Sequence, residues 1–243
     1  MGAERRRRAW PRREGSADGL AVSNGDKAPA RVAPIHALAH SVAPINAALQ
    51  AAWPEAQRMN LLDDCLSADR ARAGALDAAM TSRFLTLADY AVATGAKGLL
   101  FTCSAFGPCI DAVARRHAPL PVLKPNEAMI DDAMAAVAGG GCIGLVASFA
   151  PTLASMPAEF PQGAPLRTAW AEGALAALDA GDGDTHDARC AEAAARLAEQ
   201  GCTVIALAQF SLARAATAVR QRTGLPVLST VDGAVRRLRQ RMG

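Results

Sequence analysis

Aromatic side chains make up only 4% of the 243 residues. The three tryptophans, Trp10, Trp53 and Trp170, are too dispersed to form a platform on which nucleic-acid bases could stack. Long apolar runs are also missing. No stretch reaches the roughly 18 uninterrupted apolar residues expected of a membrane span, and the basic N-terminus is not followed by the apolar segment of a secretory leader. The six cysteines (Cys65, Cys103, Cys109, Cys142, Cys190, Cys202) form no CxxC pair and have no His-rich partner segment. That spacing indicates neither a zinc site nor a disulfide framework, and a reducing, cytoplasmic setting is the default expectation. Charge of one sign is lacking over most of the chain. Of the formal +3, residues 1–30 supply seven basic groups against four acidic ones, and the rest carries 19 of each. A neutral body offers no face for phosphate, so a nucleic-acid partner is not expected. The Arg5–Arg8 run makes residues 1–30 read as a disordered basic extension, with a transit peptide or polyanion-binding arm as the sharper alternative.

Alanine is abundant, at 58 residues, which favours helices packed closely on small side chains. From residue 32 onward, short apolar runs alternate with longer stretches at helical spacing. The runs predict strands at 32–36, 58–62, 98–102, 121–123, 142–147, 165–168, 203–208 and 226–228. Ile110, Val113, Ala114 and His117, or Leu212, Ala215, Ala216 and Val219, mark helix faces between them. Such alternation implies parallel sheets covered by helices, with ligands bound beyond the carboxyl ends of the strands. Gly139 to Gly141 precede a strand, whereas a dinucleotide fingerprint follows one, so no nucleotide site is expected there.

The chain also repeats itself. At an offset of 106, Ala112, Val113 and Arg116 fall on Ala218, Val219 and Arg222. At an offset of 105, Leu120, Pro121, Val122 and Leu123 fall on Leu225, Pro226, Val227 and Leu228, and Glu127 meets Asp232. So long a period is not a solenoid's. It predicts a duplicated α/β unit, with a first half over 31–138, a second over 139–243, and scope for exchange of the C-terminal segment. Equivalent strand ends would then line opposite walls of one cleft.

The first such end reads Thr102, Cys103, Ser104, Ala105, Phe106, Gly107, then Pro108 opening a helix. A cysteine ahead of a helix N-terminus is expected to feel the positive end of the macrodipole and gain thiolate character; a buried structural cysteine is the competing reading. The N–H groups that follow could hold a carboxylate or a developing enolate. The second end places Gln209 opposite Cys103, followed by Phe210 and Ser211. Glutamine cannot accept a proton at neutral pH but can orient an acid or amide by hydrogen bonds. His36 ends the first strand in a position to meet substrate, while His40 is expected to bond loop backbone. Ser148 and Thr152 could bind a carboxylate or cap the next helix. Glu127 and Asp232 read as helix caps. Asp63 and Asp64 look metal-friendly but lack a third ligand at suitable spacing, so a solvated turn is expected.

The segment GLLFTCSAFG, its echo VIALAQFSLA, the restart GCIGLVASFAPT and the duplicated layout together resemble the aspartate/glutamate racemase superfamily, with its hydantoin racemases, maleate isomerases and arylmalonate decarboxylases. The resemblance spans about residues 31 to 241. It implies two Rossmann-like parallel-sheet halves related by pseudo-twofold symmetry, no metal or organic cofactor, and a small carboxylate held between them. It also implies a catalytic cysteine on each wall. Cys103 matches the first, and Gln209 stands where the second would be. Thr102, Ser104, Ala105, His36, Ser148, Thr152 and Ser211 become the expected substrate contacts. Inversion by two bases needs an acid/base group on each face. A one-sided site suits a single proton transfer, decarboxylation with one-face protonation, or covalent addition. Three readings follow: a racemase or isomerase acting beside a carboxylate, a decarboxylase of a substituted malonate, or a non-catalytic carboxylate binder. Ala-rich helix faces are compatible with a homo-oligomer.

Overall fold

The computed structural model describes residues 29–243, so the expected basic extension lies almost wholly outside the described residues. The chain runs β1 (Arg31–His36), α1 (Val42–Ala52), β2 (Gln57–Arg58), β3 (Leu61–Leu62), α2 (Cys65–Ala73), α3 (Ala78–Ala93), β4 (Gly98–Phe101), α4 (Gly107–Arg116), β5 (Val122–Leu123) and α5 (Glu127–Ala136). It continues through β6 (Ile143–Ala147), α6 (Ala150–Ser155), β7 (Leu166–Trp170), α7 (Ala174–Asp179), α8 (Gly183–Glu199), β8 (Val204–Leu207), α9 (Ala216–Thr223), β9 (Val227–Ser229) and α10 (Thr230–Met242). Two sheets result, ordered β2-β1-β4-β5 and β7-β6-β8-β9, with β3 also on β1. Every pairing is parallel. The α/β class and the two parallel sheets are those expected, and the strand order is the same in both.

The inner strands β4, β6 and β8 are buried along their whole length, which is why they read as unbroken apolar runs. Edge strand β7 is largely exposed and carries Arg167 and Thr168. The expected strand over 58–62 is split, and Pro34 supplies a reason. The carbonyls of Val32 and His36 accept from Met59 and Asp63, so the even positions of β1 face β2 and β3. Pro34 lies on that side and has no N–H to offer. The ladder lapses at Met59 and Asn60.

Helices α5 and α10 exchange sheets. Met129, Ile130 and Ala133 of α5 pack with Ile143, Leu145 and Val204 of the second sheet. Val231, Ala234, Val235 and Leu238 of α10 pack with Val32, Leu100 and Leu123 of the first. Gly98 permits the close approach of α10, since a Cβ there would lie 2.5 Å from Met242 Sδ. The two helices meet where a Cβ on Gly233 would lie 2.9 Å from the Ala128 Cβ, a pair related by the repeat offset of 105. Arg236 with Asp132, Arg237 with Asp131 and Arg241 with Glu127 pair along the crossing. Among the described residues, no helix is long and apolar enough to cross a membrane.

Candidate active site

Cys103 and Gln209 occupy the same place in the two sheets. Each lies two residues beyond an inner strand, β4 or β8, and each precedes a 3-10 turn, Ser104–Phe106 or Phe210–Ala215. Both are extended, at φ −125°, ψ 115° and φ −137°, ψ 148°. The two loops touch directly: the buried Ser104 hydroxyl donates to the Ala208 carbonyl at 3.0 Å. The same hydroxyl lies 3.4 Å from that of Thr152, at the start of α6.

The thiol does not behave as the dipole argument predicts. Cys103 keeps partial solvent access, yet burial pushes its pKa up to about 11. The Ala105 N–H and the Ser67 hydroxyl pull the other way and lose. Ser67 already donates its proton to the Ala37 carbonyl at 2.6 Å and must turn it to serve a thiolate. The 3-10 turn also sets the sulfur a full turn ahead of α4, where the dipole has faded. Cys103 is therefore a neutral S–H at pH 7.

Gln209 is anchored by its carbonyl. Oε1 accepts from the backbone N–H groups of Ser148 (2.7 Å) and Phe149 (3.2 Å), with the Ser148 hydroxyl at 3.3 Å. The nest of donors beyond β6 thus holds an sp² oxygen.

His36 is buried between Thr102 Oγ1 and Asn60 Oδ1, each 2.9 Å from a ring nitrogen. Asn60 accepts, so Nε2 carries the proton and Nδ1 accepts from Thr102. Burial lowers the His36 pKa, which keeps the ring neutral. Asn60 in turn donates to Asn46 Oδ1 at 3.1 Å. Both ring nitrogens are thus engaged within the protein, and His36 acts on Thr102, the neighbour of Cys103. Sequence reasoning missed Asn60, Ser67 and the Phe149 N–H. The one available signal was the polar Asn60 inside an apolar run.

The remaining expected contacts fall into two groups. Ala105, Ser148 and Thr152 join the paired loops as described. Ser211 is buried, its Oγ without a partner among the described residues, and lines a groove of about 960 Å³ with His40, Arg214, Ser229 and Asp232. A second groove of about 710 Å³ is lined by Gly107, Lys124, Glu127 and Glu159. Each groove lies beside the end of a matched strand, β9 or β5, but neither is lined by Cys103 or Gln209. His40 bonds Asp179 Oδ1 at 2.8 Å rather than loop backbone. Glu127 and Asp232 sit in the first turns of α5 and α10, where the helix dipole favours them, and make no capping bond. Asp63 and Asp64 do find a third donor, their neighbour Cys65, with ligand atoms within 4.8 Å of one another. Asp63 is already committed to Arg83 at 2.6 Å.

The family model for Asp/Glu/Hydantoin racemase matches residues 39–238. Among solved structures, a glutamate racemase isoform from Bacillus anthracis superposes with a TM-score of 0.70 at 11% identity, covering 87% of this chain and 80% of that one. An allantoin racemase from Klebsiella pneumoniae gives 0.62 at 20% identity, over 87% of this chain and 86% of that one. The aspartate racemase of Picrophilus torridus gives 0.65 at 9%, over 88% and 94%. At these identities the structures speak to the fold. No curated protein matches by sequence.

Proposed function

We propose, from the premise that this chain belongs to the Asp/Glu/Hydantoin racemase family, that it is a racemase- or isomerase-type enzyme acting at the carbon beside the carboxylate of a small organic or amino acid. The observation that carries this reading is the pairing of Cys103 and Gln209 at equivalent strand ends, in loops joined by the Ser104 to Ala208 hydrogen bond. Cys103 is the one member of the pair that can move a proton. Gln209 orients the acid through its amide. The Ser148 and Phe149 N–H groups, now holding the Gln209 oxygen, supply donors for a carboxylate or enolate oxygen that displaces it. Thr102, steadied by His36, and Ser104, Thr152 and Ala105 complete the site, while Ser211 belongs to the separate groove beside β9. No metal or organic cofactor takes part in this reading.

The state of the thiol favours a second reading alongside the first. With its pKa pushed up to about 11, Cys103 is poised to give a proton rather than take one. A neutral S–H suits protonation, on one face, of the enolate left by carbon dioxide loss from a substituted malonate.

Deuterium oxide separates the readings. Racemisation places deuterium at the α-carbon of recovered substrate. Decarboxylation releases carbon dioxide and labels the product alone. Saturable binding without turnover of any acid would leave a carboxylate binder. In either catalytic case Cys103→Ala should lower turnover about 10²- to 10⁴-fold with its thermal melt preserved, and a fully active Cys103→Ala protein defeats the proposal.

A further inference from the structure

Cys142 and Cys202 lie far apart in sequence, at the opposite end of the second sheet from Gln209. Cys142 immediately precedes β6 and Cys202 lies two residues before β8. The strand register, Ile143 opposite Val204, brings both cysteines to the same end of the two inner strands. Their sulfurs are 3.3 Å apart and both are free thiols. The backbone clamps the pair from two sides. Thr203 N donates to the Cys142 carbonyl at 2.8 Å, and Cys142 N donates to Thr203 Oγ1 at 3.3 Å. Each cysteine follows a glycine of positive φ, Gly141 at +132° and Gly201 at +88°, so each chain turns sharply into position. At Gly141 a Cβ would meet Thr203 Oγ1 at 2.3 Å, which shows how tightly the turn fits the neighbouring strand. Cys142 is half-buried and keeps solvent access, whereas Cys202 is buried.

We propose that Cys142 and Cys202 form a reversible disulfide that staples β6 to β8, a redox modification site separate from Cys103. The co-reactant is a small-molecule disulfide such as oxidised glutathione. The Cys142 thiolate attacks one of its sulfurs, breaking that S–S bond, forming a mixed disulfide and releasing one glutathione thiolate. Cys202 gives its proton to solvent base and attacks the Cys142 sulfur, displacing the second glutathione. Two protein thiols are oxidised and one glutathione disulfide is reduced to two thiols, so electrons balance. Cys142, the solvent-accessible member, is the one a dissolved disulfide reaches first, and the buried Cys202, its thiol raised by burial and the neighbouring sulfur, makes the resolving attack.

Titration with oxidised glutathione, read by thiol counting and peptide mass mapping on the full chain, tests this. The six free thiols should fall by two without retained glutathione, a peptide pair linking Cys142 and Cys202 should appear, and reductant should reverse both. The melting temperature should rise by about 5 °C or more, since the bond closes a long loop. Cys142→Ser should abolish the transition, and Cys103→Ala and Cys65→Ser should keep it. An unchanged thiol count, a terminal mixed disulfide, or a link mapped to other cysteines would overturn the proposal. Mapping on the unaltered chain decides the question even where a variant folds poorly.

Discussion

The loop after β4 and the loop after β8 share a backbone course and a place in the sheet, yet they treat their central residue in opposite ways. Cys103 packs against an apolar cluster to which Phe149, beyond β6, also belongs, and burial outweighs its hydrogen-bond partners. Gln209 is tied by three donors to the start of α6. Two sheets of like strand order thus present a protonated thiol at one strand end and an anchored amide at the other. A duplicated fold preserves the position of a group, while its neighbours set that group's chemistry.

Making the loops chemically alike is the severest test. Gln209→Cys places a second sulfur at the equivalent strand end and should raise interconversion of enantiomers about 10²-fold or more, the lower end of the range for a positioned acid/base group. Chiral chromatography reads it, and an unchanged stereochemical outcome would argue that the two positions do not face one substrate.

A second test bears on the thiol alone. Because burial raises the Cys103 pKa to about 11, its alkylation by iodoacetamide, followed by peptide mass, should accelerate about tenfold per pH unit until that value. A rate already flat near pH 7 would mean a thiolate. The sign for stability follows from the same shift. The fold favours the neutral thiol, so its contribution is whole below the ordinary thiol pKa of about 8.5 and is lost as pH rises through about 11. Cys190, pushed up to about 12 by burial, acts in the same direction at higher pH. Melting temperature should therefore decline on the alkaline side.

The smallest expected effect concerns the contact between the loops. Ser104→Ala removes the donor to the buried Ala208 carbonyl and should cost about 1 kcal/mol in denaturant unfolding. An unaltered midpoint would show that the loops are held together by packing alone.

The architecture was legible because inner parallel strands must be apolar on both faces, and GLLF, IGLVA and VIAL advertise that requirement locally. The repeat paired PVL with PVL and Cys103 with Gln209. The site's chemistry was less legible. The Asn60 contact with His36 joins residues 24 positions apart. The link from His40 to Asp179 joins residues 139 positions apart. Nothing in the spacing of Cys142 and Cys202 foretells sulfurs at 3.3 Å, because strand register rather than separation along the chain brings them together.

Periodicity and punctuation by glycine and proline are properties of neighbouring residues and determined the alternation of strands and helices, while duplication at an offset of 105 to 106, legible by laying the chain on itself, determined the equivalence of the two strand ends. The protonation of Cys103, the anchoring of Gln209 and the exchange of α5 and α10 were decided in three dimensions. Desolvation and hydrogen bonding depend on which distant groups displace water from a side chain, and no local pattern records that.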